Sequence, residues 1–533
     1  MSSFPFLYPF FFLYLPIQYW MGSKGFSGYF LFGSLLLGTV LFWFFNKRKQ
    51  KSFKTIPPFV WLVYWSLIVF IEGIFYTKNA LDSFLLGDFD YTAQARMMFT
   101  LVKGNFFETQ YYGLQENANF LSHHMAPAIL LLSPFPILFG SELGFGIGVF
   151  FLSALTLPLL YFYLRESFIS EELSLSAVLL WAGSSSFYRL GHSLHFEVLI
   201  PFLFLLLLIG IQKQKPWLWI LSLVLFLGIK EDLSIYAAGL SSMLIFTDTK
   251  RKKEWIGVFL LSLIYFGILH PFLNSFVGDS AGRNWKEYWG NAETNPYQTI
   301  LNYIQNPESI RQYAKGLRDL SLEWGFWNLI GGWLLLPFLG LYSVFRLSVH
   351  PWVREMYSYY IYPLIPFLIL FLKNGAERIQ GWIEKKEKIP FFPFSREEKL
   401  KIFLIFTFLL SVYRNGKDGQ YPIQLAPQKE KASELRTILK EIPEGSFVSA
   451  GFHISPFVSF RNSVYPIRDN RVFKEWIVFD HGYNSPYVSS EKIRERIQEE
   501  NKIGRIELIS KTKHFSIYKN HSQSSNYEPL KQK

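Results

Sequence analysis

The chain reads as an α-helical polytopic membrane protein that ends in a small soluble α/β domain. Three observations lead there. Half of the 533 residues are hydrophobic, 19% are aromatic and only 18% are charged. Apolar runs of about 17–25 residues, long enough to cross a bilayer, recur along the first 413 positions. The Lys/Arg clusters fall in short loops between those runs, as the positive-inside rule requires. About 11–13 hydrophobic segments are expected. The net charge of +12 is accounted for by those loops, so it gives no argument for nucleic acid as a partner. There is no cysteine, which excludes disulfides, thiolate metal sites and cysteine nucleophiles. Any metal must be held by His, Asp or Glu.

Residues 4–20 are apolar but lack the basic stretch and small-residue cleavage site of a secretory signal, so they read as a retained first helix. With a second span at 27–46 they make an N-terminal transmembrane hairpin, residues 1–56. The main transmembrane domain, 57–415, opens with a third span at 58–77. Lys47-Arg48-Lys49-Gln50-Lys51, Lys213 and Lys215, and Lys250-Arg251-Lys252-Lys253 are assigned to the cytoplasm. A loop at 78–124 is then delivered to the outer side. Helices at 216–229 and 233–247 form a hairpin whose outer tip is Lys230-Glu231-Asp232. The preceding helix, 198–211, starts outside, which places His192, His195 and Glu197 at the same rim.

If 144–164 and 173–190 each cross once, the Pro-containing run 126–139 cannot cross and is expected to lie in the outer interface or to re-enter. A second juxtamembrane helix is expected at 91–104, and a second large outer loop at 278–325. Gly331-Gly332 and Pro337 predict that 327–345 is broken or re-entrant. It is followed by 357–372, a basic cytoplasmic loop at 373–401 and a last span at 402–413. From Tyr421 the apolar runs shorten and charge rises. Helix-like segments (428–441, 489–500) and strand-like ones (446–450, 476–480, 505–509, 514–518) predict an outward-facing α/β domain over 421–520. The polar tail 521–533 is expected to be disordered.

Ionisable residues far apart in sequence thus share one membrane face. Asp88 and Asp90, in Gly-Asp-Phe-Asp (87–90), open the outer loop that His123-His124 closes. An Asp there suits a general base; it also suits a cap on the helix starting near Tyr91. His195 and Glu197, two apart, do not share a helical face but fit a helix entrance converging on one point. Lys230-Glu231-Asp232 fits an exposed turn tip or a functional cluster. Ionisable groups at the edge of a transmembrane bundle are costly unless paired, solvated or used, so their joint placement favours chemistry.

Gly87-Asp88-Phe89-Asp90 with Gln94, then His124-Met125-Ala126-Pro127, His195-Phe196-Glu197 and Lys230-Glu231-Asp232, then Tyr357-Ser358-Tyr359 leading into Pro363-Leu364-Ile365-Pro366-Phe367, resemble in order and spacing the signatures of a bacterial and archaeal membrane-protein family, domain of unknown function 2079. Ile442-Pro443, Val448-Ser449-Ala450, Ser459-Phe460-Arg461, Val464-Tyr465 and Val478-Phe479-Asp480 resemble that family's outer domain, so the similarity runs from about 58 to 520. The chain departs from the pattern where the family often has Gly at Asp90, Asp at Ala93 and an acid at His123. Asp88 is therefore the closer match, with Asp90 replacing the acid lost at Ala93.

The family's architecture resembles the GT-C glycosyltransferases, multispanning enzymes that use lipid-linked sugars, in which an acid of the first large outer loop is the usual catalytic or metal-binding residue. The resemblance implies an inverting transferase that moves a sugar from a polyprenyl phosphate to an envelope glycan, lipid or protein at the outer face of the cytoplasmic (inner) membrane. Asp88 is then the expected base and Asp90 its substitute. Gln94, His123, His124, His195, Glu197, Lys230, Glu231, Asp232 and Arg283 are the expected substrate-binding residues, with Lys230 and Arg283 facing the leaving phosphate. A divalent Mg or Mn, if used, would be held by Asp88, His124, His195 and Glu231. Trp285, Tyr288 and Trp289 suit stacking on a sugar or anchoring in the interface. Two other readings stay open: a transporter or lipid-sugar flippase, for which Glu72 is the main charge inside a span, and a non-enzymatic envelope assembly protein.

Overall fold

The computed structural model describes residues 8–22, 33–34, 36–38, 40, 56–86, 89–101, 107–109, 118–140, 142–277, 295–332, 336–356, 358–384, 396–417, 425–467, 472–482 and 489–522. Among them, four helices are long and apolar enough to cross a membrane: Pro58–Asp82, Gly144–Glu166, Thr249–Phe276 and Pro351–Glu384. Phe196–Gln212, Pro216–Leu227 and Leu233–Thr247 are shorter apolar helices. The expected combination of helical membrane bundle and small α/β domain is what the chain forms.

Helix α1 (Tyr8–Gly22) packs into the bundle, its Phe11 carbonyl accepting from the Trp65 indole at 2.9 Å and Tyr14 Oη lying 2.6 Å from Ser411 Oγ. The expected second span, 27–46, falls almost wholly outside the described residues. Helix α2 (Pro58–Asp82) begins with proline at its first turn, where the missing N–H costs nothing. Helix α3 (Phe89–Thr100) overlaps the helix expected at 91–104, starting two residues earlier. The run 126–139 becomes a 3-10 turn, Pro127–Leu132, and a six-residue helix, Pro134–Phe139, too short to cross. Helix α4 (Gly144–Glu166) lies against α2 so closely that a Cβ on Gly73 would fall 1.8 Å from the Phe150 ring; small residues let membrane helices approach this way.

The crossing expected at 173–190 is two helices, α5 (Glu171–Ala182) and α6 (Ser185–His192). Gly183 ends the first, and the Ser184 hydroxyl caps the second by accepting from Phe187 N at 3.2 Å. A Gly-Ser-Ser-Ser stretch competes with the helix for its own backbone groups, so the apolar run breaks there. Helices α7 (Leu199–Gln212), α8 (Pro216–Leu227) and α9 (Leu233–Thr247) follow as expected. Helix α10 (Lys252–Ile264) continues through a π-helical turn, Tyr265–Leu269, into α11 (His270–Val277).

The loop expected at 278–325 is largely helical where it is described. Asn295 and Asn306 each cap a helix with proline at its first position, Pro296–Gln305 and α12 (Pro307–Glu323). Helix α12 then enters the bundle, where the Glu323 carbonyl accepts from Ser411 Oγ at 2.7 Å. Gly325 and Phe326, both at positive φ, turn the chain into α13 (Trp327–Gly331), and α14 (Leu336–Arg346) follows the break expected at Gly331-Gly332. After the 3-10 turn Ser358–Leu364, α15 (Ile365–Glu384) runs well into the stretch expected as a basic loop. Helix α16 (Arg396–Lys417) contains the expected last span.

The C-terminal domain begins with α17 (Lys429–Ile438). Its sheet comprises β1 (Phe447–Ala450), β2 (Ser463–Pro466), β3 (Trp476–Asp480), β4 (Ile506–Lys511) and β5 (Phe515–Asn520), in the order β2-β1-β3-β5-β4. β1 pairs in parallel with β2 and β3, and β5 pairs antiparallel with β3 and β4. Four of the strands match the expected segments; β2, which ends in Pro466, was not expected as a strand. Helix α18 (Ser490–Lys502) covers one face through Ile493 and Ile497. The other face joins the membrane core: Val448 and Phe515 belong to the same buried cluster as Trp61, Leu203 and Leu368.

The helix ends sort onto two ends of the bundle. Lys213 pairs with Glu166 at 2.8 Å, and Ser170 N donates to Gln380 at 2.7 Å, so the Lys213 turn, the end of α4 and the later part of α15 meet at one end; the expected Lys47–Lys51 cluster lies outside the described residues. At the other end Ala128 N donates to the Gly228 carbonyl, 2.9 Å, and Gln428 N to the Asp82 carbonyl, 2.7 Å.

Candidate functional site

At that second end, four segments bring their ionisable groups together. Leu194, held at a φ of +52°, ends the turn after α6, and His195 follows in an extended conformation before the 3-10 turn Phe196–Val198. The His195 Nδ1 faces the Glu197 carboxylate, and its Nε2 lies 3.7 Å from Asp90 Oδ2 at the start of α3. Lys230, at the hairpin tip, donates to Glu197 Oε1 at 3.0 Å. Next to it, His124 Nδ1 is 3.4 Å from Glu231 Oε1. His195, Glu197, Lys230 and Glu231 are buried, whereas the Asp90 side chain is 31% exposed. Among the described residues the linked groups reach solvent through Asp90 and His124.

Burial, then the Lys230 ammonium and His124, hold the His195 imidazole well below its ordinary value. With Nδ1 turned to Glu197, Nε2 is the nitrogen turned toward Asp90. A carboxylate that orients an imidazole so that its far nitrogen meets a second group is an arrangement found in sites that activate hydroxyl nucleophiles.

Aromatic rings complete the cluster. The Tyr359 ring stacks on His195 at 4.0 Å and 10°, and the Lys230 Nζ lies 4.4 Å from the Tyr362 ring centre. Asp232 Oδ2 accepts from the Tyr236 hydroxyl at 3.2 Å and from the Tyr362 hydroxyl. Sequence reasoning missed these tyrosines as site residues, although Tyr359 closes the Tyr-Ser-Tyr signature. It also missed what stands behind His195. The His192 Nε2 lies 2.9 and 3.0 Å from the two Glu72 oxygens, its Nδ1 is 2.8 Å from the Tyr188 carbonyl, and the Tyr188 ring stacks on it at 3.5 Å. Both imidazole nitrogens thus meet oxygen atoms, one on α2 and one within α6. At the other end of α6, the Glu323 carboxylate accepts from Ser186 N and, at 3.1 Å, from Ser186 Oγ. An acid at the helix start and a histidine at its end complement the helix dipole.

Of the other expected residues, Gln94 sits one turn after Asp90, fully buried, with no hydrogen-bond partner among the described residues on either amide atom. His123 ends the short helix Phe120–His123, its side chain outside the described residues. Asp88, Arg283, Trp285, Tyr288 and Trp289 also lie outside them. Among the described residues no group of three or more His, Asp or Glu side chains is arranged to hold a metal ion. His124 and His195 each set Nδ1 against a carboxylate, and the ammonium of Lys230 answers the charge of Glu197.

Fold and site together define a helical integral membrane protein with an ionisable cluster at one rim and an α/β domain seated at the same end. Within that class the chain belongs to the family of predicted membrane proteins with domain of unknown function 2079, whose model matches residues 80–521. No curated protein matches it.

Proposed function

We propose that the protein is an inverting glycosyltransferase of the GT-C type, moving a sugar from a polyprenyl phosphate to an envelope acceptor at the outer face of the cytoplasmic membrane. The observation that carries this reading is the Glu197–His195–Asp90 series, which ends at a partly exposed carboxylate. Asp90, with His195 Nε2 beside it, takes the proton of an acceptor hydroxyl. The oxygen attacks the anomeric carbon, the bond from that carbon to the phosphate oxygen breaks, and its electron pair leaves with the phosphate. Lys230 and His124 are the nearby groups that can carry positive charge toward that phosphate. The turn that carries Lys213, at the opposite end of the bundle, supports an outward orientation of the cluster. A family-level expectation of Asp88 as base is kept beside Asp90.

The test is a mass-spectrometric comparison of envelope glycans and lipid-linked sugars in cells lacking the protein, complemented at equal expression by the native chain, Asp90→Asn or Asp88→Asn. We expect the native chain to restore a missing sugar, and Asp90→Asn to lower its rate of appearance about 100-fold or more while the polyprenyl donor accumulates. Full restoration by both variants would remove the acid-base reading. The buried Glu72–His192 pair and Glu323 favour a second reading, transport, because charges inside a bundle also line pathways. In that case the donor would build up on the cytoplasmic leaflet and Glu72→Gln would reproduce the deletion.

A further inference from the structure

The residues on both sides of the acid-bearing start of α3 are held by the C-terminal domain. Before it, the Asp82 carboxylate accepts from Arg436 at 3.0 Å, and Phe84 turns out of α2 at a φ of +57°. That conformation is unfavourable for an aromatic residue. It is sustained by where it sends the ring, which lies 5.3 Å from Phe457, 5.9 Å from His453 and 6.2 Å from Phe515, with the Lys431 ammonium 5.0 Å from its centre. Lys431 is itself fixed by Asp480 at 2.6 Å, and His453 contacts the same carboxylate at 2.9 Å.

After it, Arg96 of α3 donates to the Ser459 carbonyl at 2.7 Å and to Ser463 Oγ at 3.0 Å. A third tie runs through Glu142, which takes a hydrogen bond from Arg436 at 2.8 Å on its carboxylate and one from the Tyr91 hydroxyl on its carbonyl. Tyr91 is the neighbour of Asp90.

We propose that the C-terminal α/β domain is a clamp that positions Asp90, acting through Phe84, Arg96 and Arg436, and that these three are positioning residues of the site. Among the described residues α4 also meets this segment, through Phe145 against Tyr91, but the polar ties on both flanks of Asp90 come from the domain. The inference uses the proposed function only in calling Asp90 functional, and its test does not depend on that chemistry.

The experiment is hydrogen exchange on the full-length protein in lipid nanodiscs, comparing the native chain with Phe84→Ala, Phe84→Leu and Arg96→Gln. Amides of residues 90–100 should exchange at least about tenfold faster in Phe84→Ala and in Arg96→Gln, with Phe84→Leu partly restoring the native rate because it refills the apolar socket. Amides of β1, β3 and α7 should keep their native rates. Unchanged exchange at 90–100 in both variants would overturn the clamp. Equal acceleration in β1 and β3 would overturn it too, since the contacts would then merely support the fold. Transfer retained in Asp90→Asn would sink the chemistry and leave the exchange result, and so the clamp, standing; the two failures are thus separate.

Discussion

Lys230 and Glu197 are a buried pair, 3.0 Å apart and almost without solvent. Removing one member of such a pair leaves an uncompensated charge and typically costs about 3–5 kcal/mol, whereas replacing both costs far less. Lys230→Met should therefore lower the thermal unfolding midpoint in detergent strongly, and adding Glu197→Gln should recover most of the loss; a double variant no more stable than the single one would contradict the pairing. At this scale the sequence was readable where a charge interrupts apolar segments, as at His195, Glu197 and Lys230-Glu231-Asp232. It was opaque where the residue type is common. With 30 tyrosines in the chain, nothing in the pattern marks Tyr359 or Tyr362 as the ones that meet His195 and Lys230. Glu72 stands out as a charge within a span, but its partner His192 is 120 positions away, a distance that periodicity does not bridge.

Elements were legible in proportion to the regularity of their pattern. α7, α8 and α9 and four of the five strands lie where apolar run length and alternation put them. The breaks were harder: Gly331-Gly332 announced one, while Gly183-Ser184 inside an otherwise apolar run did not. Close approach of backbones also leaves little trace beyond a glycine. A Cβ on Gly331 would stand 2.0 Å from the Phe371 carbonyl oxygen, and one on Gly375 2.5 Å from that of Trp327. Gly331→Ala or Gly375→Ala must push α13 off α15. We expect a loss of about 1–3 kcal/mol for either, read as a lowered thermal midpoint, and a midpoint within 1 °C of native would show that the pair does not pack this way.

The sheet domain carries its own pH dependence. Burial alone would raise Asp480, but hydrogen bonds from His453, Lys431 and Gly482 N–H bring it down to about 2. A carboxyl lowered on folding contributes stability that is present above its unfolded value, about 3.9, and is lost as pH falls toward 2. His453, which burial holds below its ordinary value against the pull of Asp480, acts in the same sense from about pH 6.5 downward. The urea midpoint of the domain, followed by fluorotryptophan resonance of Trp476, should therefore fall from pH 7 to 5 and again toward 3, with the lower limb flattened in Asp480→Asn. A midpoint independent of pH would refute both assignments.

For the whole molecule, the absence of cysteine makes single-cysteine labelling clean. Asn117→Cys and Tyr483→Cys should react with an impermeant thiol reagent on intact cells, and Lys252→Cys only after permeabilisation; labelling of Lys252→Cys from outside would invert the orientation. The overall architecture was legible because hydropathy and basic loops report on lipid and charge. The seating of the C-terminal domain was not, because it depends on a few residues such as Phe84 and Arg96 that look ordinary in sequence. The contact between Phe84 and Phe515 also imposes an order of events. At about 5–20 residues per second, a ribosome needs roughly 20–90 s to travel from one to the other. Throughout that interval Asp90 has been made but its final support has not. A truncated or still-growing chain thus carries an unassembled centre, and the protein acquires its working geometry only as its last strand is delivered.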